Sequence, residues 1–307
     1  MFHWAVAVGT EVARRRLAGR AIGAGLALRH RLADRLVLAK VRGAMGGRMK
    51  TVFCGGAAVP LFVHDFFQAI GVPVQEAWGL TETSPIITMN GPSPETLRLG
   101  SVGRPLPSYE MRVADDGELL ARGPSVFKGY WNKPEQTSEV FDEEGFFHTG
   151  DIGSIDRDGF VFITDRKKDL IVTAGGKNIA PQPVESRLKQ SPLVENAVLI
   201  GDGRPFIVAL LAPDPEGVAV WARERGLDPS DLAAALADPD LASRYEEVVE
   251  AVNAKLARFE QIKEFRVLPR AFTVDGGELT PTMKVKRRVV AETYADLVEA
   301  MYRGPGV

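Results

Sequence analysis

The stretch from Val52 to Glu82 constrains the fold of this chain more than any other. Val52-Phe53-Cys54 is a short apolar run of strand type that ends in Gly55-Gly56. Pro60 then opens a segment with Phe66, Phe67 and Ile70 at helical spacing, closed by Gly71. Val72-Pro73-Val74-Gln75-Glu76-Ala77 reads as a second strand that delivers Trp78-Gly79-Leu80-Thr81-Glu82-Thr83-Ser84 at its carboxyl end. A strand–helix–strand order of this length points to a parallel α/β sheet, in which ligands sit beyond the carboxyl ends of the strands.

The rest of the chain divides around this unit. Residues 1–46 are rich in Ala, Leu and Arg, lack proline and read as helix. From Ser101 to Ile163 short strands alternate with turns: Glu110–Ala114, Glu118–Arg122 after Asp116-Gly117, and Phe160–Thr164 after Asp158-Gly159. The charged run Asp165-Arg166-Lys167-Lys168-Asp169 marks a domain boundary, giving regions 1–167 and 168–307. Beyond it, Pro183–Gln190 reads as helix and Val194–Gly201 with Phe206–Ala212 as a hairpin. Helices are expected between Glu216 and Leu256, and a last one from Arg287. The expected class is α/β with a β-rich subdomain, followed by a smaller α+β domain.

The formal net charge of −2 gives no indication of a nucleic-acid partner. The charge is uneven, since Met1–Lys50 holds eleven Lys and Arg against Glu11 and Asp34. Such an arm can favour anionic lipid, in a peripheral membrane contact, or it can be an ordinary solvated helical face. Cys54 is the only cysteine, so no intrachain disulfide forms and a cytoplasmic setting is expected. His3, His30, His64 and His148 have no metal-ligand spacing, and no apolar run is long enough to span a bilayer.

Several motifs carry chemistry. Gly55-Gly56-Ala57-Ala58 lacks bulk, so a planar base could lie against its backbone, although a strand-end Gly-Gly also serves as a plain turn. Trp78 to Glu82 combines an aromatic face, a glycine, a hydroxyl and a carboxylate, the parts that stack a purine, approach a phosphate and hold its magnesium. Taken singly, Trp78 could be core and Thr81 a helix cap. His148-Thr149-Gly150-Asp151 follows the turn-like Glu144-Gly145-Phe146-Phe147, and Asp151 can either accept two ribose hydroxyls or cap a turn. Gly175-Gly176-Lys177-Asn178 and Thr280-Pro281-Thr282-Met283-Lys284 are loops where backbone or a lysine can reach a substrate.

In this order and spacing the residues resemble the adenylate-forming superfamily, and within it the AMP-forming long-chain fatty-acid–CoA ligases. The likeness also runs through Gly100-Ser101-Val102-Gly103-Arg104-Pro105, Lys128-Gly129-Tyr130-Trp131, Asp165–Pro181, Phe259-Glu260-Gln261-Ile262-Lys263 and Thr280–Arg288. It implies that Gly55, Gly56, Ala57, Trp78, Gly79, Thr81, Asp151 and Arg166 bind the nucleotide. It also implies that Glu82 helps hold Mg2+, with Thr81 and Glu82 contributing to catalysis. Lys168 would be a hinge, Gly175 and Gly176 would line the path of coenzyme A, and Lys284 would be the adenylation lysine. The implied reaction joins a long-chain fatty acid to ATP, giving acyl-AMP and pyrophosphate, and then to coenzyme A, releasing AMP. A related enzyme loading a carrier protein and a catalytically silent nucleotide-binding module are the alternatives.

One family feature is missing from the 307 residues. Nothing in Met1–Lys50 resembles the Ser/Thr/Gly-rich loop ending in lysine that cradles the β- and γ-phosphates in the family. The chain is therefore expected to be the C-terminal half of such an enzyme, with the large domain represented in part by 1–167 and the small mobile domain by 168–307. The missing half would be either a separate N-terminal chain acting as its partner or a part that this chain has lost, and activity of the chain by itself is in question. A sheet interrupted in this way should leave an apolar face and an edge strand open, so region 1–165 is expected to be marginal alone, while the region from about Lys168 folds by itself.

Overall fold

A computed structural model describes residues 1–57 and 59–303. The chain separates into two compact units, Met1–Lys167 and Lys168–Val307.

In the first unit the basic arm is not one helix. It forms α1 (Phe2–Leu17), α2 (Ala24–Ala33), a π-helical turn at Asp34–Leu38, and α3 (Ala39–Ala44). The stretch 18–23 interrupts it, carrying two residues of low helix propensity in Gly19 and Gly23. Ala5, Val8, Ala33, Leu38, Ile70 and Val72 form the core that this helical layer shares with the sheet region. Arg42 fixes the layer from its edge: Nη1 donates to the carbonyl of Ile70 at 2.8 Å, and the guanidinium pairs with Asp34 at 2.7 Å. That carbonyl belongs to the end of α4 (Leu61–Ala69), where the helix has no internal donor left to offer.

The strand–helix–strand unit forms as the sequence indicates. β1 (Val52–Cys54) lies parallel to β2 (Val74–Trp78) through α4, with Val52 opposite Val74 and Cys54 opposite Glu76. β3 (Thr88–Met89) and β4 (Arg104–Pro105) extend this sheet antiparallel, leaving β1 at its edge with Phe53 63% exposed. A second sheet is an antiparallel meander of β5 (Glu110–Val113), β6 (Glu118–Arg122), β7 (Phe147–Ile155) and β8 (Val161–Arg166). A short helix, α5 (Pro134–Glu139), starts with proline at its first turn between β6 and β7. Backbone bonds from Val102 to Val161 and from Val161 to Gly103, both 2.9 Å, tie the two sheets.

His148-Thr149-Gly150-Asp151 lies mid-strand, so Asp151 does not cap a turn. Gly150 and Asp151 have low strand propensity, but β6 and β8 pair with the strand on both sides.

The second unit begins with a 3₁₀ turn at its boundary and the hairpin β9 (Ile171–Val172) and β10 (Asn178–Ile179). α6 (Pro181–Leu188) leads to β11 (Val194–Ile200) and β12 (Ile207–Pro213), which pair antiparallel. α7 (Pro215–Glu224), α8 (Leu232–Leu236) and α9 (Pro239–Asn253) form the crossover to β13 (Ile262–Val267), which lies parallel to β12. Asp214, Asp231 and Asp238 cap these helices by accepting from backbone N–H groups of the first turn, and Pro215 and Pro239 follow two of the caps. All of β12 is buried, and alternate residues face opposite cores. Ile207, Ala209 and Leu211 pack with Val184, Trp221 and Tyr245, while Val208, Leu210 and Ala212 pack with Phe272, Val290 and Met301. The C-terminal helix divides at Tyr294 into α10 (Arg287–Thr293) and α11 (Ala295–Arg303). Among the described residues, no helix is long and apolar enough to cross a membrane.

Candidate nucleotide site and lysine loop

β2 ends at Trp78, and Gly79 turns the chain away from the sheet. A Cβ at Gly79 would sit 1.9 Å from the carbonyl oxygen of Pro85, so the loop closing back on itself requires glycine there. Close approach of the loop's own backbone thus accounts for this glycine without a phosphate. Thr81–Thr83 forms a 3₁₀ turn. The buried Thr83 braces it, accepting from Leu80 N–H at 2.8 Å and donating to the Leu80 carbonyl at 3.0 Å. Thr81 itself is exposed.

Three of the expected nucleotide residues meet. The indole Nε1–H of Trp78 donates to Asp151 Oδ2 at 2.8 Å. Arg166 Nε lies 2.9 Å from Asp151 Oδ1, because β7 and β8 pair with Asp151 opposite Arg166. Asp151 is buried, and Thr149 on the same strand accepts from its backbone N–H at 3.2 Å. A buried carboxylate needs such donors to remain charged, and here each oxygen has one.

Glu82 is held by a residue that sequence reasoning placed in a motif but gave no role. Tyr130 O–H donates to Glu82 Oε1 at 3.1 Å, and Phe127 N–H donates to the Glu82 carbonyl at 2.7 Å. Burial and then the Glu82 carboxylate push the Tyr130 phenol upward, which keeps it a proton donor. Nothing within Lys128-Gly129-Tyr130-Trp131 marks that partner, which lies 48 residues away in sequence.

Gly55, Gly56 and Ala57 are exposed at the end of β1, and Ala58 lies outside the described residues. The loop is pinned just beyond them: Val59 N–H donates to Glu76 Oε1 at 2.9 Å, and Glu76 Oε2 lies 2.8 Å from His64 Nε2, both side chains buried.

Glu118 forms a further junction that the sequence did not disclose. Its buried carboxylate accepts from Gly150 N–H at 2.8 Å and lies 2.9 Å from both His148 Nδ1 and Lys167 Nζ. Lys167 Nζ also reaches Asp116 at 2.7 Å. Burial raises the Glu118 carboxyl, but the bonds from His148, Lys167 and Gly150 outweigh it, leaving the group below the usual carboxylate range.

The second unit carries the remaining expected residues. Lys168 lies in the 3₁₀ turn Lys167–Asp169. Gly175 and Gly176 are exposed in the turn between β9 and β10, closed by Gly176 N–H to Thr173 O at 2.8 Å. Lys284 is exposed on a tight loop closed by the bridge between Leu279 and Val285. Thr280 N–H donates to the Lys284 carbonyl at 2.8 Å, and Lys284 N–H donates to Thr280 Oγ1 at 3.0 Å. Met283 adopts φ 63°, the left-handed conformation that a side chain disfavours. Under the loop, fully buried Glu278 pairs with Arg270 and accepts from Thr273 N–H at 3.3 Å. The lysine is thus presented by a rigid support.

Among the described residues, no group of three or more His, Cys, Asp or Glu could hold a metal ion. Glu82 stands as a single carboxylate, a donor set that fits a magnesium ion carried mainly by phosphates and water and not a protein cage.

Comparison with known proteins places the chain in a family. The family described as AMP-binding enzyme matches residues 21–131, and the AMP-binding enzyme C-terminal domain matches residues 168–305. The long-chain-fatty-acid–CoA ligase FadD15 of Mycobacterium bovis is 46% identical over 286 residues, covering 91% of this chain and 47% of that protein. A putative fatty-acid–CoA ligase, fadD11 of Mycobacterium tuberculosis, is 42% identical over 301 residues, covering 97% of this chain and 52% of that protein. The chain spans about half the length of these curated relatives. The adenylation domain of a carboxylate reductase from Mycobacterium chelonae has a similar fold, with TM-score 0.67 and 24% identity over 96% of this chain and 45% of that one.

Proposed function

We propose, from the premise that the chain belongs to the AMP-binding enzymes, that it supplies the C-terminal half of a long-chain fatty-acid–CoA ligase. The observation that carries the reading is the Trp78–Asp151–Arg166 constellation at the carboxyl end of β2. Trp78 offers a face for adenine, Asp151 accepts the ribose hydroxyls, and Arg166 holds Asp151 charged while contacting the nucleotide. Gly55, Gly56 and Ala57 present bare backbone to the base, and Thr81 donates to phosphate.

Glu82, held by Tyr130, would ligate magnesium, which when bound neutralises charge on the phosphates. Lys284 would approach the α-phosphate as a fatty carboxylate attacks it, offsetting negative charge that grows in the transition state. Pyrophosphate leaves and acyl-AMP remains. Turning about Lys168 would then withdraw Lys284 and bring Gly175 and Gly176 to coenzyme A, whose sulfur attacks the acyl carbon and expels AMP. An acyl chain gains about 0.8 kcal/mol per buried CH₂, which favours long substrates.

The β- and γ-phosphate contacts would come from residues outside these 307, in a separate N-terminal half or in an upstream extension of the same polypeptide. Exposed Phe53 on edge strand β1 supports such a partner. The reaction consumes ATP and coenzyme A, so we place it in the cytoplasm, with the basic arm available for peripheral contact with anionic lipid.

ATP–pyrophosphate exchange with palmitate, on this chain and on one extended upstream, tests the proposal. Exchange in the extended form is expected, followed by AMP release that depends on coenzyme A. Absence of exchange in both would overturn it.

A further inference from the structure

The boundary between the two units falls between Lys167 and Lys168. The residue before it is tied to its own unit by two carboxylates: Lys167 Nζ bridges Asp116 at 2.7 Å and buried Glu118 at 2.9 Å. The same Glu118 carboxylate takes Gly150 N–H at 2.8 Å, one residue before Asp151. Arg166, immediately before Lys167, is paired to Asp151 at 2.9 Å. A buried carboxylate on β6 thus grips both the strand that carries Asp151 and the last residue of the unit.

We propose that Glu118 and Asp116 form an anchor for Lys167 that confines the interdomain turn to Lys168 and keeps it from spreading back to Arg166 and Asp151. The assignment of a pivot at Lys168 rests on the function proposed above, whereas the anchor itself stands on the contacts within the first unit. Glu118 is a positioning residue in this scheme. It acts through Lys167 on the pivot and through Gly150 on the nucleotide strand. Without the anchor, turning would drag Arg166 and loosen the hold on Asp151 at the step where acyl-AMP must stay bound.

Hydrogen exchange on the 307-residue chain reads the anchor without requiring activity. Lys167→Met should speed exchange of amides 166–169 at least about five-fold, the factor that corresponds to about 1 kcal/mol of local stability, and leave β5–β7 unchanged. Lys167→Arg should retain wild-type exchange, because it restores the charge. Glu118→Gln should match Lys167→Met. Should it also loosen the whole meander, the Met and Arg pair at the half-exposed Lys167 decides the matter. Unchanged exchange in Lys167→Met, or equal acceleration in Lys167→Arg, would overturn the anchor.

In the chain extended upstream, Lys167→Met should slow thioester formation from supplied acyl-AMP at least about five-fold more than it slows adenylation, a bias of about 1 kcal/mol. Equal slowing of both half-reactions would overturn the link to the pivot. An inactive wild-type extended chain would instead count against the proposed function, while the exchange result still tests the anchor.

Discussion

Trp78 Nε1 donates to Asp151 Oδ2 at 2.8 Å, across 73 residues of sequence. The bond joins the end of the parallel sheet to the middle of the antiparallel meander. It makes the aromatic face and the carboxylate one unit, so a change at either is felt at the other.

Replacing Trp78 with Phe keeps a ring face and deletes the donor. AMP affinity should fall at least about ten-fold, as expected for loss of one charge-assisted hydrogen bond of about 1.5–3 kcal/mol. Trp78→Ala should lose at least another ten-fold, because stacking contributes about 1–3 kcal/mol per base. Calorimetric titration with AMP measures both, and equal losses would remove the ring from the site.

Lys284→Ala in an active form should slow adenylation by about 10²–10³, the range for removing one electrostatic stabiliser of the transition state. Thioester formation from supplied acyl-AMP should be spared. Loss of both half-reactions together would contradict the separate use of Lys284 and the Gly175-Gly176 segment.

Met283 holds φ 63° immediately before Lys284. Glycine tolerates this conformation, so Met283→Gly should stabilise the second unit by roughly 0.5–1 kcal/mol after its own entropy cost. Urea unfolding reads the change, and destabilisation would mean that the exposed methionine side chain contributes packing.

The Glu118 carboxyl is held below its ordinary value, with burial opposed by His148, Lys167 and Gly150. A depressed carboxyl stabilises the fold at pH above its unfolded value and loses that contribution as pH falls through the folded one. The first unit should therefore weaken as pH drops below about 4.5. Glu118→Gln should be less stable at neutral pH and flatter through this acid range. Identical acid profiles in denaturant melts would show that Glu118 has no part in it.

The second unit sandwiches β12 between two apolar cores, whereas the first leaves Phe53, Leu61 and Phe62 exposed. Limited proteolysis should cut the first unit sooner and leave a stable fragment from about residue 168. Digestion in the opposite order would contradict this stability ranking.

Much of the local architecture was legible because it follows from local chemistry. Val52–Cys54 and Glu118–Arg122 match their strands to the residue, and the Pro60–Gly71 helix is bounded by the residues that start and stop it. β13 was passed over: Ile262–Val267 mixes charged with apolar residues, and only Ile262 is fully buried. β7 was not read as a strand: Glu144–Phe147 looks turn-like, and Gly150 and Asp151 have weak strand propensity, which pairing with two neighbours overrides. Tyr130, Glu118 and Lys167 carry no motif that marks their roles. Their partners lie 48, 30 and 49 residues away in Glu82, His148 and Glu118.

By itself, the sequence determined the family, the strand–helix–strand unit and the identity of the chemical groups: Trp78, Asp151, Arg166 and the lysine loop at Lys284. Tertiary structure decided which of them touch. Strand register sets Asp151 against Arg166, and the junction of two sheets sets it against Trp78. Residue pattern encodes which face of an element is buried. The partner across that face depends on pairing between distant strands, which a local pattern does not record.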